Sequence, residues 1–265
     1  MPSLTEHQSS KYTKLLLLGN SGSGKTGSLA SLVKDGYKLR ILDFDNGLDS
    51  LAAAVRRSSP DKVGQVSFVT LRDKRKASPA GAVLDGPPRA FVRALQLLDN
   101  WKDGSDNFGV PSQWGPECVL VIDSLTFMAD AAWDFREPLV PRGSGGKYDV
   151  RAVYKDSQDA IAATLGLITN SAFETNVIVI AHIQYITLQD GTMKGFPTAI
   201  GQALGPVIPR YFNTVALCET TPAGKRTLRT IPTALIDLKN PKPFEMQPSF
   251  DIEDGMGKFF KILRS

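Results

Sequence analysis

The sequence predicts an α/β protein: a three-layer α/β/α sandwich around a mostly parallel central sheet. Two observations carry that class. Short apolar runs rich in Leu, Val and Ile recur along the chain, with helix-periodic segments between several of them. Several of these runs stop at an acidic, glycine or histidine residue, as strands do when they deliver polar groups to the carboxyl edge of a parallel sheet.

Taken in order, "KLLLL" (14–18) reads as the first strand, and "GNSGSGKT" (19–26) follows it directly. That segment fits the G-x-x-x-x-G-K-[ST] phosphate loop at each fixed position, between a strand and the amphipathic "SLASLVK". Glycines let the backbone turn so that successive N–H groups point inward at phosphate oxygens. Gly19, Asn20, Ser21, Gly22, Ser23, Gly24, Lys25, Thr26 and Gly27 are therefore the candidate nucleotide contacts. Lys25 is expected to reach the terminal phosphates, and Thr26 to offer its hydroxyl to Mg²⁺, while the helix adds its positive end. ATP and Mg²⁺ are the implied cofactors.

A second strand, "YKLRILDFD", ends at Asp43–Asp45, a third is "QVSFVTL", and a fourth, "ECVLVIDSLTFM", ends at Asp123 and Ser124. Asp123 is the candidate for the second Mg²⁺-organising residue. Ser124 reads as the better cap for the helix that follows. The two strands between Lys25 and Asp123 leave room for one inserted beside the first strand, an arrangement suited to ATPases that activate water. Asp45 is placed to accept a proton from such a water, with a helix cap on "GLDSLAAAVRR" as its alternative. A fifth strand, "TNVIVIAHIQYI", sets His182 and Gln184 at its end, where a polar group can sense the γ-phosphate.

The remaining segments are read more simply. "PPRAFVRALQLLDNWKDG" predicts a helix with Phe91, Leu95 and Leu98 in the core and Trp101 at its margin, flanked by surface loops. "GQALGPVIPRYF" reads as a helix interrupted by Pro206 and Pro209, and "NTVALCETT" with "RTLRTIP" as a hairpin whose Arg226 and Arg229 are either trans-acting arginines or, the favoured reading, its exposed face. The tail (245–265) either folds back or docks on a partner. One domain over 1–265 is expected, with a core near 14–244.

Composition narrows the function. Two histidines exclude a histidine-rich zinc site, and Cys118 and Cys218 read as buried free thiols within apolar strands. A net charge of +4 permits a polyanionic partner without requiring one. No apolar run approaches the roughly 18 residues of a membrane span, and the start has no apolar signal region, so a cytoplasmic protein without a membrane partner is expected.

The ordered set "GNSGSGKT", "ILDFDNGLD", "VLVIDSLTFM", "VIVIAHIQ" and "LIDLKNPKPF" resembles the RecA core, and looks most like the shortened phage-encoded RecA-like single-strand annealing recombinases. The resemblance implies an ATPase that binds single-stranded DNA and acts in recombination as a homo-oligomer, ring or filament, with nucleotide at subunit interfaces and a single-stranded DNA-binding protein as a further partner. By position, Asp45 takes the place of the catalytic glutamate and is one methylene shorter. His182 takes that of the glutamine sensor, and Lys239 that of a lysine reaching a neighbour's γ-phosphate. Two basic segments then correspond to the DNA-facing loops: 134–156, with Arg136, Lys147 and Arg151, and 184–202, with Lys194. Tyr148 and Phe196 are candidates to stack on bases. "LVPRGS" (139–144) is identical to a thrombin site used in expression vectors, so Arg142 within it is left out of the DNA contacts. A hexameric DNA motor, a small-molecule kinase and a nucleotide-gated assembly module are the alternatives.

Overall fold

The structure, a computed structural model, describes residues 11–79, 81–141 and 149–265. In chain order its strands are β1 (Lys14–Gly19), β2 (Lys38–Asp43), β3 (Val66–Thr70), β4 (Arg75–Ser78), β5 (Gly81–Leu84), β6 (Trp101–Asp103), β7 (Asp106–Gly109) and β8 (Gly115–Asp123). They continue as β9 (Thr175–Ala181), β10 (Ile183–Thr187), β11 (Met193–Pro197), β12 (Thr214–Thr220), β13 (Arg226–Arg229) and β14 (Ser249–Asp251). The helices are α1 (Lys25–Ser28), α2 (Ala30–Lys34), α3 (Asp49–Ser58), α4 (Ala90–Asp99), α5 (Leu125–Arg136), α6 (Val150–Thr169) and α7 (Gly255–Arg264).

Eight strands form the central sheet in the order β14-β13-β12-β1-β9-β8-β2-β3. The six from β12 to β3 are parallel, and β13 and β14 close one edge antiparallel. A strand does lie between β1 and β8, but it is β9, from later in the chain; the two earlier strands sit outboard of β8. Parallel neighbours need crossovers, and a central strand buried on both faces must be apolar throughout; "TNVIVIA" meets that demand better than "VSFVT", whose Phe68 is exposed.

Alternation along the strands feeds two cores. Leu16 and Leu18 of β1, Leu120 and Ile122 of β8, and Val177 and Val179 of β9 face α4, α5 and α6. Leu15, Leu17, Val119, Val121, Ile178 and Ile180 face α2, α3 and α7. Each such fully buried side chain contributes about 1.5–3 kcal/mol, so the central strands are anchored from both sides and their carboxyl ends form a firm rim.

Several local expectations are corrected. Trp101 is core, 1% exposed and packed on Trp114, because the chain reverses at β6–β7 and folds Trp101 inward. The segment after Lys74 is the β4–β5 hairpin, and 201–212 is a series of turns ending in a short 3₁₀ segment, since Pro206 and Pro209 interrupt helical bonding too closely for a helix to form. Cys118 is only half-buried; Cys218 is buried, and both are free thiols. Of the two outcomes left open for the tail, folding back is the one observed: Phe259, Phe260 and Leu263 of α7 pack into the core beside α2, and Arg264 donates to the Tyr37 hydroxyl.

Candidate nucleotide site

The glycine bend opens at the carboxyl end of β1. Gly22 and Gly24 have φ of 76° and 92°, left-handed values that a side chain would strain. Gly24 caps α1, and the amides of Lys25, Thr26 and Gly27 form its first turn, where N–H groups have no partner within the helix. A methyl group on Gly19 would lie 2.6 Å from the Cys218 carbonyl across the β1–β12 pair, so glycine is required for the strand to turn here. Lys25 is 7% exposed, and its Nζ donates to the carbonyls of Gly19 and Asn20, both at 2.9 Å. Burial lowers its pKa, opposed by the carboxylates of Asp123 and Asp45.

Asp123 stands at the end of β8, in register with Asp43 of β2. One oxygen accepts a 2.7 Å bond from the Thr26 hydroxyl; the other, Oδ1, is buried and has no hydrogen-bond partner among the described residues. Burial at 1% exposure pushes its pKa up to about 7, and the nearby Asp45 and Asp43 push the same way, against Thr26 and Lys25. An orphaned carboxylate oxygen beside a hydroxyl is a pair of hard ligands that fits Mg²⁺. Among the described residues no three His, Cys, Asp or Glu side chains are grouped to hold a metal by themselves, as suits an ion that keeps waters and substrate phosphates in its shell.

Asp45 and Asp43 divide the work at the end of β2. Asp43 accepts from the Asn46 amide at 2.8 Å and from Thr70, which shapes the turn, and burial raises its pKa. Asp45 does not cap α3, whose first residues receive no side-chain cap. Its backbone is fixed by the Asp123 carbonyl, and its Oδ1 accepts a 2.9 Å bond from the Ser124 hydroxyl. Ser124 does occupy the N-cap position of α5, but its hydroxyl makes no cap bond there and is committed to Asp45. This pairing was not foreseen: residues 79 apart in sequence meet only because β2 and β8 are neighbours in the sheet.

His182 follows β9 and is half-buried, edge-on to Phe127 with ring centres 6.4 Å apart, and its amide donates to the Thr126 hydroxyl. Burial first and Lys25 second lower its pKa, with Asp45 opposing, so the imidazole is neutral at pH 7 and near both residues. Gln184, two residues on, has a buried Nε2 with no hydrogen-bond partner among the described residues. Lys239 is not in this cluster. It bridges Val215 of β12, three residues ahead of Cys218, which is level with Gly19, so it lies roughly 10 Å below the rim of its own chain.

The basic residues are dispersed. Arg136 ends α5, and its buried Nε has no hydrogen-bond partner among the described residues; Arg151 is exposed in the first turn of α6, after an Asp149 cap. Lys194 lies in the β10–β11 hairpin, ion-paired to Asp237 at 2.8 Å, and Phe196 is half-buried there; the segment expected as a basic loop is this hairpin. Lys147, with Arg142 and Tyr148, lies outside the described residues.

A large groove of about 1140 Å³ begins at Gly24 and Gly27 and runs between α3 and the β13–β14 edge. Ala53, Ala54 and Ile252 give it apolar walls, and Arg57, Arg226, Asp251 and Glu253 give it polar ones. It is formed by the returning tail, which is why local sequence patterns did not reveal it.

The sequence model of the AAA domain family matches residues 11–241. No curated protein is matched. Among solved structures, an ATPase from the type III secretion system of pathogenic bacteria is similar at 13% identity and a TM-score of 0.39, over 78% of this chain and 52% of that one. The chain thus spans about half the length of that structure.

Proposed function

The chain belongs to the AAA domain family, and from that premise we propose that it binds ATP with Mg²⁺ and hydrolyses it in a DNA-coupled oligomer. One observation carries the reading: Lys25, the Thr26–Asp123 pair and the Ser124–Asp45 pair converge at one end of the sheet, beside the glycine bend.

Lys25 exchanges its two carbonyl acceptors for phosphate oxygens, which needs no new side-chain burial. Thr26 and Asp123 hold Mg²⁺, which when bound neutralises charge on the phosphates. Asp45, oriented by Ser124, accepts the proton of the attacking water. His182, neutral and near Lys25, donates a hydrogen bond toward the terminal phosphate and transmits its presence through its backbone contacts to Thr126 and Thr198. The nucleoside end extends from Gly27 into the groove. Phosphate release by wild type and Asp45→Asn tests the chemistry: the variant keeps ATP binding and loses turnover by about 100-fold or more. Equal loss of binding, with unchanged turnover per bound ATP, makes Asp45 structural and contradicts the reading.

The finer proposal is that the oligomer binds single-stranded DNA for annealing or strand pairing, with Arg136, Arg151 and Lys194 among its phosphate contacts and Lys239 directed at a neighbour's nucleotide. The RecA-like motif order supports it, and the position of Lys239 away from its own rim suits a role across an interface. Turnover measured with and without single-stranded DNA across a salt series tests it. Stimulation that fades steeply with salt supports it, and salt-independent turnover, indifferent to DNA, refutes it.

A further inference from the structure

We propose that Arg226 clamps the diphosphate of the nucleotide held by its own chain's glycine bend, from the side opposite Asp123. The inference rests on the nucleotide reading above and names a binding residue within it.

The placement of Arg226 is fixed by backbone. It pairs with Thr220 at the end of β12, and its carbonyl accepts from Ile252, just past β14, so the side chain rises from a three-stranded edge and not from a loop. Its stem lies against the bend: a Cβ built on Gly24 would be 3.2 Å from Arg226 Cδ and 3.2 Å from Ile252 Cγ1. Glycine at this position therefore serves twice, by its left-handed φ and by making room for Arg226.

Charge accounting separates Arg226 from its neighbours. Along the same groove Arg57 pairs with Glu253 at 2.9 Å, Lys225 with Asp251 at 2.9 Å and Lys258 with Asp254 at 2.6 Å. Nearby, Arg229 pairs with Glu219 at 2.6 Å. Among the described residues the Arg226 guanidinium has no carboxylate partner and no hydrogen bond, although it lies in a groove that also contains Asp251, Glu253 and Asp254. A planar five-donor cation left unpaired beside free helix-terminal amides matches a bidentate phosphate ligand.

Position decides which phosphates it serves. The catalytic carboxylates and His182 lie at the β8–β9 side of the bend, where the terminal phosphate belongs. Arg226 stands on the β13 side, with Gly24 and Gly27, where the groove leads away toward the nucleoside. Contact there is made equally with ATP and ADP, so it strengthens binding without lowering the chemical barrier.

The test is equilibrium binding of a fluorescent ADP to the full chain, for wild type, Arg226→Ala and Arg226→Lys, alongside steady-state ATP turnover. Melting curves confirm that the exposed substitutions leave the fold intact. The clamp predicts that Arg226→Ala weakens ADP and ATP by the same factor, about 10- to 100-fold, that lysine recovers part of it, and that kcat is kept. The deficit is independent of protein concentration, because the residue acts within one chain. ADP affinity unchanged in Arg226→Ala overturns the clamp, as does a fall in kcat with ADP binding intact, which would place Arg226 at a neighbour's terminal phosphate. If wild type itself binds no ADP, the nucleotide reading fails and the clamp with it; wild-type binding with an indifferent Arg226→Ala removes the clamp alone.

Discussion

Ser124→Ala removes one hydroxyl and isolates what holds the proposed base. Its Oγ donates at 2.9 Å to Asp45 Oδ1, and it makes no cap bond to α5, so helix stability loses little when it goes. A hydrogen bond to a charged acceptor is worth about 1.5–3 kcal/mol. Part of that returns as water replaces the hydroxyl, since Asp45 is only half-buried. A residual of about 1–2 kcal/mol corresponds to a fall of roughly 5- to 30-fold in turnover. Because Asp45 is assigned to water and not to phosphate, KM for ATP and the affinity for ADP remain at wild-type values. Steady-state phosphate release and ADP titration read the two quantities separately. Adding Ser124→Ala to Asp45→Asn should cost nothing further, since the two residues act as one unit. Unchanged turnover in the single variant, or additive losses in the double variant, refutes the positioning of Asp45 by Ser124.

Two predictions concern stability. Phe259, fully buried between α7 and the sheet edge, anchors the returning tail, and Phe259→Ala should cost about 3–5 kcal/mol in chemical denaturation; a loss below about 1 kcal/mol would mean the tail is not part of the core. Lys14 is buried, with its Nζ donating to the Phe173 and Thr175 carbonyls, and burial lowers its pKa from 10.5 to about 7. Between those values the unfolded chain holds a proton that the folded chain has released, so stability rises with pH from about 7 toward 10.5. Relative to Lys14→Met, wild type should therefore gain stability across that window, and a flat difference would contradict the shift.

The parts of this account that were legible in the sequence are those in which a residue's role is set by its immediate neighbours. The bend from Gly19 to Thr26 declares itself through spacing, and the strands that end at Asp43, Asp123 and Ala181 declare themselves through apolar continuity. What escaped depends on strand order. The insertion of β9 beside β1 is a property of the whole sheet, and the Ser124–Asp45 bond follows from the adjacency of β2 and β8. For Arg226 the sequence leaves a trans-acting arginine and an exposed hairpin position both open, because the hairpin's proximity to Gly24 of the same chain arises from the packing of β12 against β1. Trp101 is misplaced by the sequence and the tail left between two outcomes for a related reason, since a short reversal and an amphipathic end segment reveal their burial only once the surface they cover exists.

The most direct test of the central claim is ATP binding by wild type and Lys25→Ala, measured by calorimetry with and without Mg²⁺. Wild type is predicted to bind ATP more tightly with Mg²⁺, and Lys25→Ala to lose that binding while melting as a folded protein. Equal ATP affinity in both proteins, or wild-type affinity indifferent to Mg²⁺, would contradict the account.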